Sequence, residues 1–213
     1  MTQPTDPAQA ALGPPSVKSG TVRSSPPRRR PNKMLRPREY LTQDEIESLL
    51  RAAGEGRYGQ RDRTLLLLAY RHALRVSEAI ALRWDAVDFA TATLHVTRLK
   101  GGLSGIHPLR GAELRALRQL RREWPVGPYL FQSERGGPMA SANVRRVVAR
   151  CGRDAGIAFP VHPHQLRHAC GFKLANDGHD TRAVQHYLGH RNIRHTVRYT
   201  ELTPGRFDRF WED

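Results

Sequence analysis

Cysteine and long apolar stretches are both scarce in this chain of 213 residues. Two cysteines occur, Cys151 and Cys170, and neither lies in a paired metal-binding spacing. So few thiols are typical of a reducing compartment, and we predict that the two do not form a disulfide. The longest purely apolar run, Leu65–Tyr70, is far shorter than the ~20 residues of a transmembrane helix, and no apolar secretory signal precedes it. We therefore predict no membrane span and a cytoplasmic location.

Acidic residues are also few, because 20 Asp and Glu oppose 35 Lys and Arg and leave a formal net charge of +15. An excess of this size indicates a polyanionic partner, either nucleic acid or an anionic membrane surface. Nucleic acid is the favoured partner, since the chain has no apolar segment long enough to span a bilayer. Apolar residues make up 38% of the sequence, which is enough to build a hydrophobic core.

The first forty residues differ in composition from the rest of the chain. They hold eight of the fifteen prolines, eight basic residues and two acidic ones. Such proline-rich, apolar-poor sequence buries too little surface to offset the entropy lost on ordering, so we predict a disordered arm over residues 1–37. Its most basic stretch contains Arg28, Arg29, Arg30 and Lys33, which are candidate DNA contacts. A solvated leader with no role is the alternative interpretation.

The sequence after the arm has first helical and then strand periodicity. Thr42 followed by Glu45 forms a capping box, which satisfies two free backbone donors at the start of a first helix. Period-two alternation indicates strands at Val87–Phe89 and Thr93–Val96. A third strand is predicted over 106–109. Further helices are predicted over 60–73, from Val76 through Ile80 and Leu82, over 111–122, over 141–155, over 164–176, over 181–188 and near Thr196. The pattern predicts an α+β, mostly helical fold with a small three-stranded antiparallel sheet, in one domain over 38–213.

Histidine and arginine are concentrated in the stretch His162–His168. If a helix begins near His164, then His164, Arg167 and His168 are spaced i, i+3 and i+4 and share one face. A guanidinium offers a planar fork of donors that matches phosphate oxygens, and an imidazole moves protons near neutral pH. The stretch therefore predicts a phosphate site.

Zinc is the competing interpretation of these histidines, because His186 and His190 are also spaced i and i+4. The zinc-protease arrangement needs a glutamate after its first histidine, and Tyr187 stands at that position. Arg167 and Arg191 lie beside the two clusters and would repel a cation. We therefore predict that the chain binds no metal and no other cofactor.

The sequence resembles the tyrosine recombinase (phage integrase) family over about residues 42–202. The resemblance is carried by five segments that occur in the family's order and spacing. They are the first arginine box Leu74-Arg75-Val76-Ser77-Glu78, Lys100 in the turn of the small sheet, the His-x-x-Arg box His164–Arg167, the Leu-Gly-His box Leu188–His190, and Tyr199 nine residues later. The resemblance implies the catalytic-domain fold of that family and a double-stranded DNA substrate.

The resemblance extends in detail to the short bacterial recombinases that invert a fimbrial promoter. It is carried there by Arg98–Lys100, His107–Leu109, His162–Phe172 and Tyr187–Val197. As in those proteins, we expect no separate N-terminal core-binding domain of the kind found in larger integrases, with the basic arm in its place. The resemblance implies a bacterial, DNA-associated protein that acts as a homotetramer through a Holliday junction, and it leaves open whether DNA-bending accessory proteins take part.

The resemblance also implies a role for each matched residue. Tyr199 would attack the scissile phosphate and form a 3′-phosphotyrosine, so that no ATP is required. Arg75 and Arg167 would hold the non-bridging oxygens, and His190 would donate to one of them. The catalytic set is therefore expected to be Arg75, Lys100, His164, Arg167, His190 and Tyr199.

Proton transfer in this scheme falls to His164 and Lys100. His164 would assist the tyrosine, because a phenol with a pKa near ~10 is a poor nucleophile, and Lys100 would protonate the leaving 5′-oxygen. Glu78, one helical turn after Arg75, either orients an active-site group or is an ordinary helix-surface carboxylate. Two other functions compete with a recombinase: a DNA-binding regulator that keeps the fold without cleaving, and a metal-dependent nuclease.

Overall fold

A computed structural model describes residues 38–99, 101–124 and 127–201. The predicted arm over 1–37, with Arg28, Arg29, Arg30 and Lys33, and the catalytic candidate Lys100 lie outside the described residues. The other five catalytic candidates lie inside them. Cys151 and Cys170 are both buried free thiols, as predicted. Among the described residues, no helix has the length and apolar character needed to cross a membrane.

The described residues form eight α-helices, one short 3₁₀ helix and three strands. The predicted capping box begins the first helix, where the Thr42 hydroxyl accepts from the Glu45 amide and the Glu45 carboxylate accepts from the Thr42 amide. The elements are α1 Gln43–Gly54, α2 Gly59–Arg71, α3 Val76–Ile80, the 3₁₀ helix Trp84–Ala86, β1 Val87–Asp88, β2 Thr93–Val96, β3 Gly105–Pro108, α4 Gly111–Glu123, α5 Ser141–Asp154, α6 Pro163–Asn176, α7 Thr181–Leu188 and α8 Arg194–Glu201.

Helix α2 is the centre of the helical core. It packs against α1, α4 and α6, which surround it because its apolar run Leu65–Tyr70 is buried on every face. Helices α7 and α8 pack on α6 and on each other, which places the C-terminal boxes of the chain beside that helix. The core therefore supports α6, and in the first turn of that helix Pro163 and Gln165 are buried while His164 is exposed.

The small sheet is antiparallel in the order β1-β2-β3. Leu94 pairs with Val87 on one side and with His107 on the other. Both Leu94 and Val96 are buried. This confirms the period-two pattern, since alternate residues of β2 face the helices. The β2–β3 connection holds Lys100 and begins directly beside α3 and α7.

Two predicted helix ends are wrong. The second helix ends at Arg71 instead of Ala73, because Ala73 has a left-handed backbone with φ 50°. The third ends at Ile80 and does not include Leu82, because the Leu82 carbonyl accepts from the amide of Leu130 in a distant segment. The end at Arg71 is closed by local hydrogen bonds, from the amides of His72 and Leu74 to the carbonyls of Leu68 and Ala69, whereas the end at Ile80 is set by a tertiary contact.

Candidate functional site

Arg75 occupies the turn immediately before α3. It is the N-cap of that helix, and Glu78 in the first turn accepts from both its backbone amide (3.0 Å) and its guanidinium (2.6 Å). The Arg75 side chain is 26% exposed, while that of Glu78 is 1% exposed. The buried Glu78 carboxylate thus holds Arg75 in place, while the Arg75 guanidinium stays partly exposed to solvent. Of the two interpretations of Glu78, the helix-surface carboxylate is wrong, because its carboxylate is buried and ion-paired.

Arg167 lies on α6 and is 5% exposed. Its guanidinium donates to the Ala73 carbonyl at 2.5 Å and to the Leu188 carbonyl at 2.6 Å. Burial, followed by the positive charges of Arg75 and Arg98, lowers the pKa of Arg167 to about 10, so it remains protonated near neutral pH. The contacts join α6 to the turn before Arg75 and to the Leu-Gly-His box.

A third arginine, Arg98, has a fully buried side chain and donates to Glu78 at 2.9 Å. Burial lowers the pKa of Arg98, and the Glu78 hydrogen bond and charge oppose that effect. Glu78 therefore compensates Arg75 and Arg98 together, while the hydrogen-bond acceptors of Arg167 given above are neutral carbonyls. Three guanidiniums around one carboxylate leave excess positive charge, which suits a phosphate group with negative oxygens.

His190 follows Gly189, whose left-handed conformation (φ 68°) ends α7. The His190 Nδ1 lies 2.9 Å from the Thr196 hydroxyl, and its carbonyl accepts from the Gln185 amide group. Burial, then the charge of Arg167, lowers the pKa of His190 to about 3, so the ring is neutral near neutral pH. If the Thr196 hydroxyl donates to Nδ1, the proton of the ring is on Nε2, the tautomer that can donate to a phosphate oxygen.

Tyr199, on α8, is 1% exposed. Its hydroxyl lies 2.8 Å from Nδ1 of His168, and its ring stacks with that of His190 at an interplanar angle of 17° and meets Phe172 edge-on. A Cβ atom on Gly171 would lie 2.7 Å from the Tyr199 ring, so a glycine is required for this close approach. Burial raises the pKa of the Tyr199 phenol. In this arrangement the tyrosine is neutral and shielded from solvent.

His164 lies in the first turn of α6 and is exposed. The structure brings His168, one turn later, to the Tyr199 hydroxyl. Both histidines share the predicted face with Arg167, yet the sequence analysis placed His168 only in the predicted phosphate site and not in the catalytic set. The signal was present, since His168 is spaced i+4 from His164, but the sequence does not say which of the two contacts the tyrosine.

The segment around Lys100 is held on both sides. The Arg98 amide donates to the Ser104 hydroxyl at 3.0 Å, and the Leu99 amide is 3.3 Å from Glu78 Oε1. The Gly102 amide closes the turn by donating to the Leu99 carbonyl. This turn is therefore anchored to the same carboxylate that binds Arg75. Lys100 itself stays a sequence prediction.

His107, on β3, is a second titratable group near Lys100 in sequence, so its suitability as the acid bears on the role of Lys100. It is 3% exposed, and its Nδ1 lies 3.3 Å from Nδ1 of His72, whose Nε2 lies 2.8 Å from the Glu113 carboxylate. Its ring also stacks on Tyr187 with centroids 4.1 Å apart. Burial, then the neighbouring His72, lowers the pKa of His107 to about 3. A buried histidine that is uncharged near neutral pH is a poor acid and is not suited to protonate a leaving group.

The buried histidines predict a loss of stability in mild acid. The pKa values of His107, His168 and His190 are lowered to about 3, about 4 and about 3, mainly by burial. Each group binds its proton more readily in the unfolded chain, so stability is full above about pH 6.5 and falls as the pH decreases toward the folded-state values. We expect each of the three histidines to lower the free energy of unfolding by roughly 2 kcal/mol between about pH 7 and pH 5. Thermal melting at the two pH values measures the drop.

The control for this prediction compares a buried with an exposed histidine. His107→Gln should reduce the difference in Tm between the two pH values, because it removes one of the titrating groups. His179→Gln, at an exposed position after α6, should leave the difference as in the wild type. Equal pH differences in all three proteins would contradict the assignment of the effect to buried histidines.

Comparison with known proteins places these residues in a family context. The sequence profile of the phage integrase family matches residues 39–206. The type 1 fimbriae regulatory protein FimE of Escherichia coli (strain K12) is 43% identical over 181 residues, which cover 82% of this chain and 91% of FimE. FimB of the same strain is 43% identical over 180 residues, covering 82% and 90%. The tyrosine recombinase XerC of Xylella fastidiosa (strain M23) is 33% identical over 190 residues, covering 87% of this chain and 64% of XerC.

Solved structures give the same fold. The crystal structure of XerA recombinase superposes with a TM-score of 0.70 and 27% identity, covering 80% of this chain and 63% of XerA. XerH recombinase bound to its difH substrate, in a pre-cleavage complex, has a TM-score of 0.69 and 23% identity, covering 82% and 55%. The predicted fold class, mostly helical with a small antiparallel sheet, is confirmed.

Proposed function

This chain belongs to the phage integrase family of tyrosine recombinases, and from that membership we propose that it cleaves and rejoins DNA at specific sites through a 3′-phosphotyrosine. The observation that carries the proposal is the cluster of Arg75, Arg167 and His190 beside Tyr199. It combines excess positive charge, a neutral imidazole and an oxygen nucleophile at one place. Phosphoryl transfer needs this combination, because negative charge develops on the phosphate oxygens in the transition state.

The proposed cleavage step uses five of the candidate residues directly. The Tyr199 oxygen attacks the scissile phosphorus, while Arg75 and Arg167 bind the non-bridging oxygens and His190 donates to one of them. The bond from phosphorus to the 5′-oxygen breaks, and Lys100 transfers a proton to that oxygen. A 5′-hydroxyl of a second strand then attacks the phosphotyrosine, which rejoins the DNA and releases Tyr199. The intermediate conserves the bond energy, so neither ATP nor a metal ion enters the scheme.

The tyrosine must move before it can attack. Its hydroxyl is held by His168, and burial, then the charge of Arg198, lowers the pKa of His168 to about 4. A group with this pKa is a poor base near neutral pH, so His168 holds the hydroxyl and does not deprotonate it. We propose that α8 shifts on DNA and brings Tyr199 toward the phosphate, where the exposed His164 takes the phenolic proton.

A suicide DNA substrate tests the proposed reaction. A nick placed next to the scissile phosphate lets the short 5′-ended strand diffuse away, so that the covalent protein–DNA adduct accumulates and is resolved on a denaturing gel. We expect an adduct that forms in the presence of a chelator. A chain that binds the site without any adduct would instead be the alternative, a non-cleaving DNA-binding regulator, and an adduct or cut that requires a divalent ion would indicate a nuclease.

The substrate proposed for the reaction is an invertible DNA segment. The similarity to FimE and FimB, and the resemblance to the short fimbrial recombinases, support inversion over integration. The family's route implies four protomers on two sites and a Holliday junction intermediate, and a requirement for DNA-bending accessory proteins is an open part of the proposal. Sequencing chromosomal junctions near the gene in cells that express the chain identifies the site, and inverted junctions are the expected product.

The basic arm is proposed to grip the DNA backbone. If Arg28, Arg29, Arg30 and Lys33 contact phosphates, deleting residues 1–37 should flatten the dependence of log affinity on log salt concentration. The slope should fall by roughly 0.9 for each phosphate group that the shortened protein no longer binds, because each bound phosphate releases counterions. Fluorescence anisotropy over a range of salt concentrations measures this slope. An unchanged slope would show the arm to be a passive leader.

A further inference from the structure

Arg98 is a fully buried cation that makes four hydrogen bonds within the catalytic region. Its Nη1 donates to the Ala73 carbonyl at 3.1 Å and to Glu78 at 2.9 Å, and its Nη2 donates to the carbonyls of His72 at 2.9 Å and Tyr187 at 2.7 Å. Its side chain is 0% exposed. The carbonyl partners precede Arg75 by two and three residues and His190 by three, and Arg98 itself precedes Lys100 by two. One side chain therefore joins three segments that carry catalytic candidates.

Two glycines make room for this side chain. A Cβ atom on Gly189 would lie 2.7 Å from Cγ of Arg98, and a Cβ atom on Gly102 would lie 2.9 Å from its Cβ. Gly189 belongs to the Leu-Gly-His box and Gly102 to the turn that begins at Leu99. Because a side chain on either glycine would displace Arg98, the backbone on both sides is shaped around it.

We propose that Arg98 is a positioning residue for strand cleavage, which holds the arginine box, the β2–β3 turn and the Leu-Gly-His box in one catalytic arrangement. The inference rests on the proposed recombinase function. Arg98 does not itself contact DNA in this proposal, because its side chain is buried and both terminal nitrogens bind protein acceptors. It acts through Arg75, with which it shares Glu78, and through the segments that carry Lys100 and His190.

Arginine is needed for this role because of its fork geometry. The planar guanidinium reaches two acceptors with each terminal nitrogen, so it binds Glu78 and three carbonyls at the same time. A lysine keeps the charge but concentrates its donors on one atom, and at least some of these acceptors lose their partner. Segments that lose their common partner can shift relative to one another, and a misplacement of about 1 Å is enough to slow a reaction roughly 10²-fold.

The test compares Arg98→Lys with a matched buried arginine in the full-length protein. Counted over the whole residue, Arg61 is 6% exposed, against 5% for Arg98. It pairs with the buried Asp62 and the Gln132 carbonyl, away from the three segments. Both variants are assayed well below their melting temperatures on the suicide substrate at saturating protein. We expect Arg98→Lys to form the adduct about 10²-fold more slowly with little change in DNA affinity, and Arg61→Lys to react at the wild-type rate.

A double variant separates positioning from general loss of stability. Glu78→Gln removes the carboxylate that Arg98 and Arg75 share. The rate loss of the double variant Glu78→Gln, Arg98→Lys should therefore be smaller than the product of the two single losses. Two independent stability effects would leave the rate of the folded protein unchanged in both variants. Adduct formation by Arg98→Lys at the rate of Arg61→Lys, or rate losses that multiply with Glu78→Gln, would overturn the positioning role.

The same gels distinguish this inference from the proposed function. If the wild-type chain binds the mapped site and forms no adduct, the recombinase proposal fails and the inference fails with it. If the wild-type chain forms the adduct and Arg98→Lys forms it equally fast, the recombinase proposal stands and the positioning role is wrong.

Discussion

Replacing Tyr199 with phenylalanine is expected to abolish the covalent protein–DNA adduct. The substitution removes the nucleophilic oxygen, so adduct formation should fall below detection, a reduction of at least roughly 10³-fold. DNA affinity should be nearly unchanged, because the side chain is 1% exposed and carries no positive charge. The phenylalanine ring still packs against Phe172 and His190, so the variant should remain folded. A denaturing gel for the adduct and an anisotropy titration for DNA affinity measure the two effects.

Tyr187→Phe is the matched control for this experiment. The Tyr187 hydroxyl donates to the Arg71 carbonyl at 2.9 Å, and burial raises the pKa of its phenol above the ordinary range. Removing this hydroxyl should cost about 1 kcal/mol of stability and leave the adduct in place. An adduct that persists in Tyr199→Phe and disappears in Tyr187→Phe would mean that the nucleophile has been assigned to the wrong tyrosine.

Replacing Lys100 with alanine is expected to slow cleavage of ordinary DNA by about 10²- to 10⁴-fold. The 5′-alkoxide is a poor leaving group, so the reaction needs a proton at that oxygen in the transition state. DNA with sulfur in place of the bridging 5′-oxygen should restore the rate, because a thiolate leaves without protonation. The measurement is the single-turnover rate of Lys100→Ala on the two substrates.

His107→Ala is the control variant that tests whether Lys100 or His107 protonates the leaving 5′-oxygen. His107 is buried beside His72 and Tyr187, and its low pKa leaves it uncharged near neutral pH. Sulfur should therefore give His107→Ala no recovery beyond that of the wild type. If the sulfur substrate rescues His107→Ala and leaves Lys100→Ala slow, the general acid is His107. If it rescues neither, the proton comes from another group.

The elements with local signals were predictable from the sequence. The Thr42–Glu45 capping box predicted the start of α1, because both of its hydrogen bonds lie within one turn. The alternation in β2 predicted a strand, because Leu94 and Val96 face the helical core. Such signals act over a few residues, so they do not depend on the rest of the fold. The end of α3 at Ile80 depends on a hydrogen bond with a distant segment, and the sequence carried no local sign of it.

The candidate site was predictable in its residue types and less so in its geometry. The family boxes identified Arg75, Arg167 and Tyr199, and the structure brings their segments together. The burial of Arg98 was not predictable, because two of its carbonyl partners lie 26 and 89 positions away in sequence. The contact between His168 and Tyr199 was also missed, because helical spacing shows which side chains share a face and does not show what lies opposite that face.

The uneven charge around Glu78 also affects the stability of the protein. Arg75, Arg98 and Arg167 repel one another, and one buried carboxylate offsets only part of that repulsion. In the proposed reaction, a scissile phosphate that enters this region would supply the missing negative charge, so the DNA backbone would act as a counterion for these arginines. By linkage, the free energy gained when the phosphate binds is also gained as resistance to unfolding. The affinity for DNA and the stability of the catalytic region would therefore both depend on the same excess of positive charge.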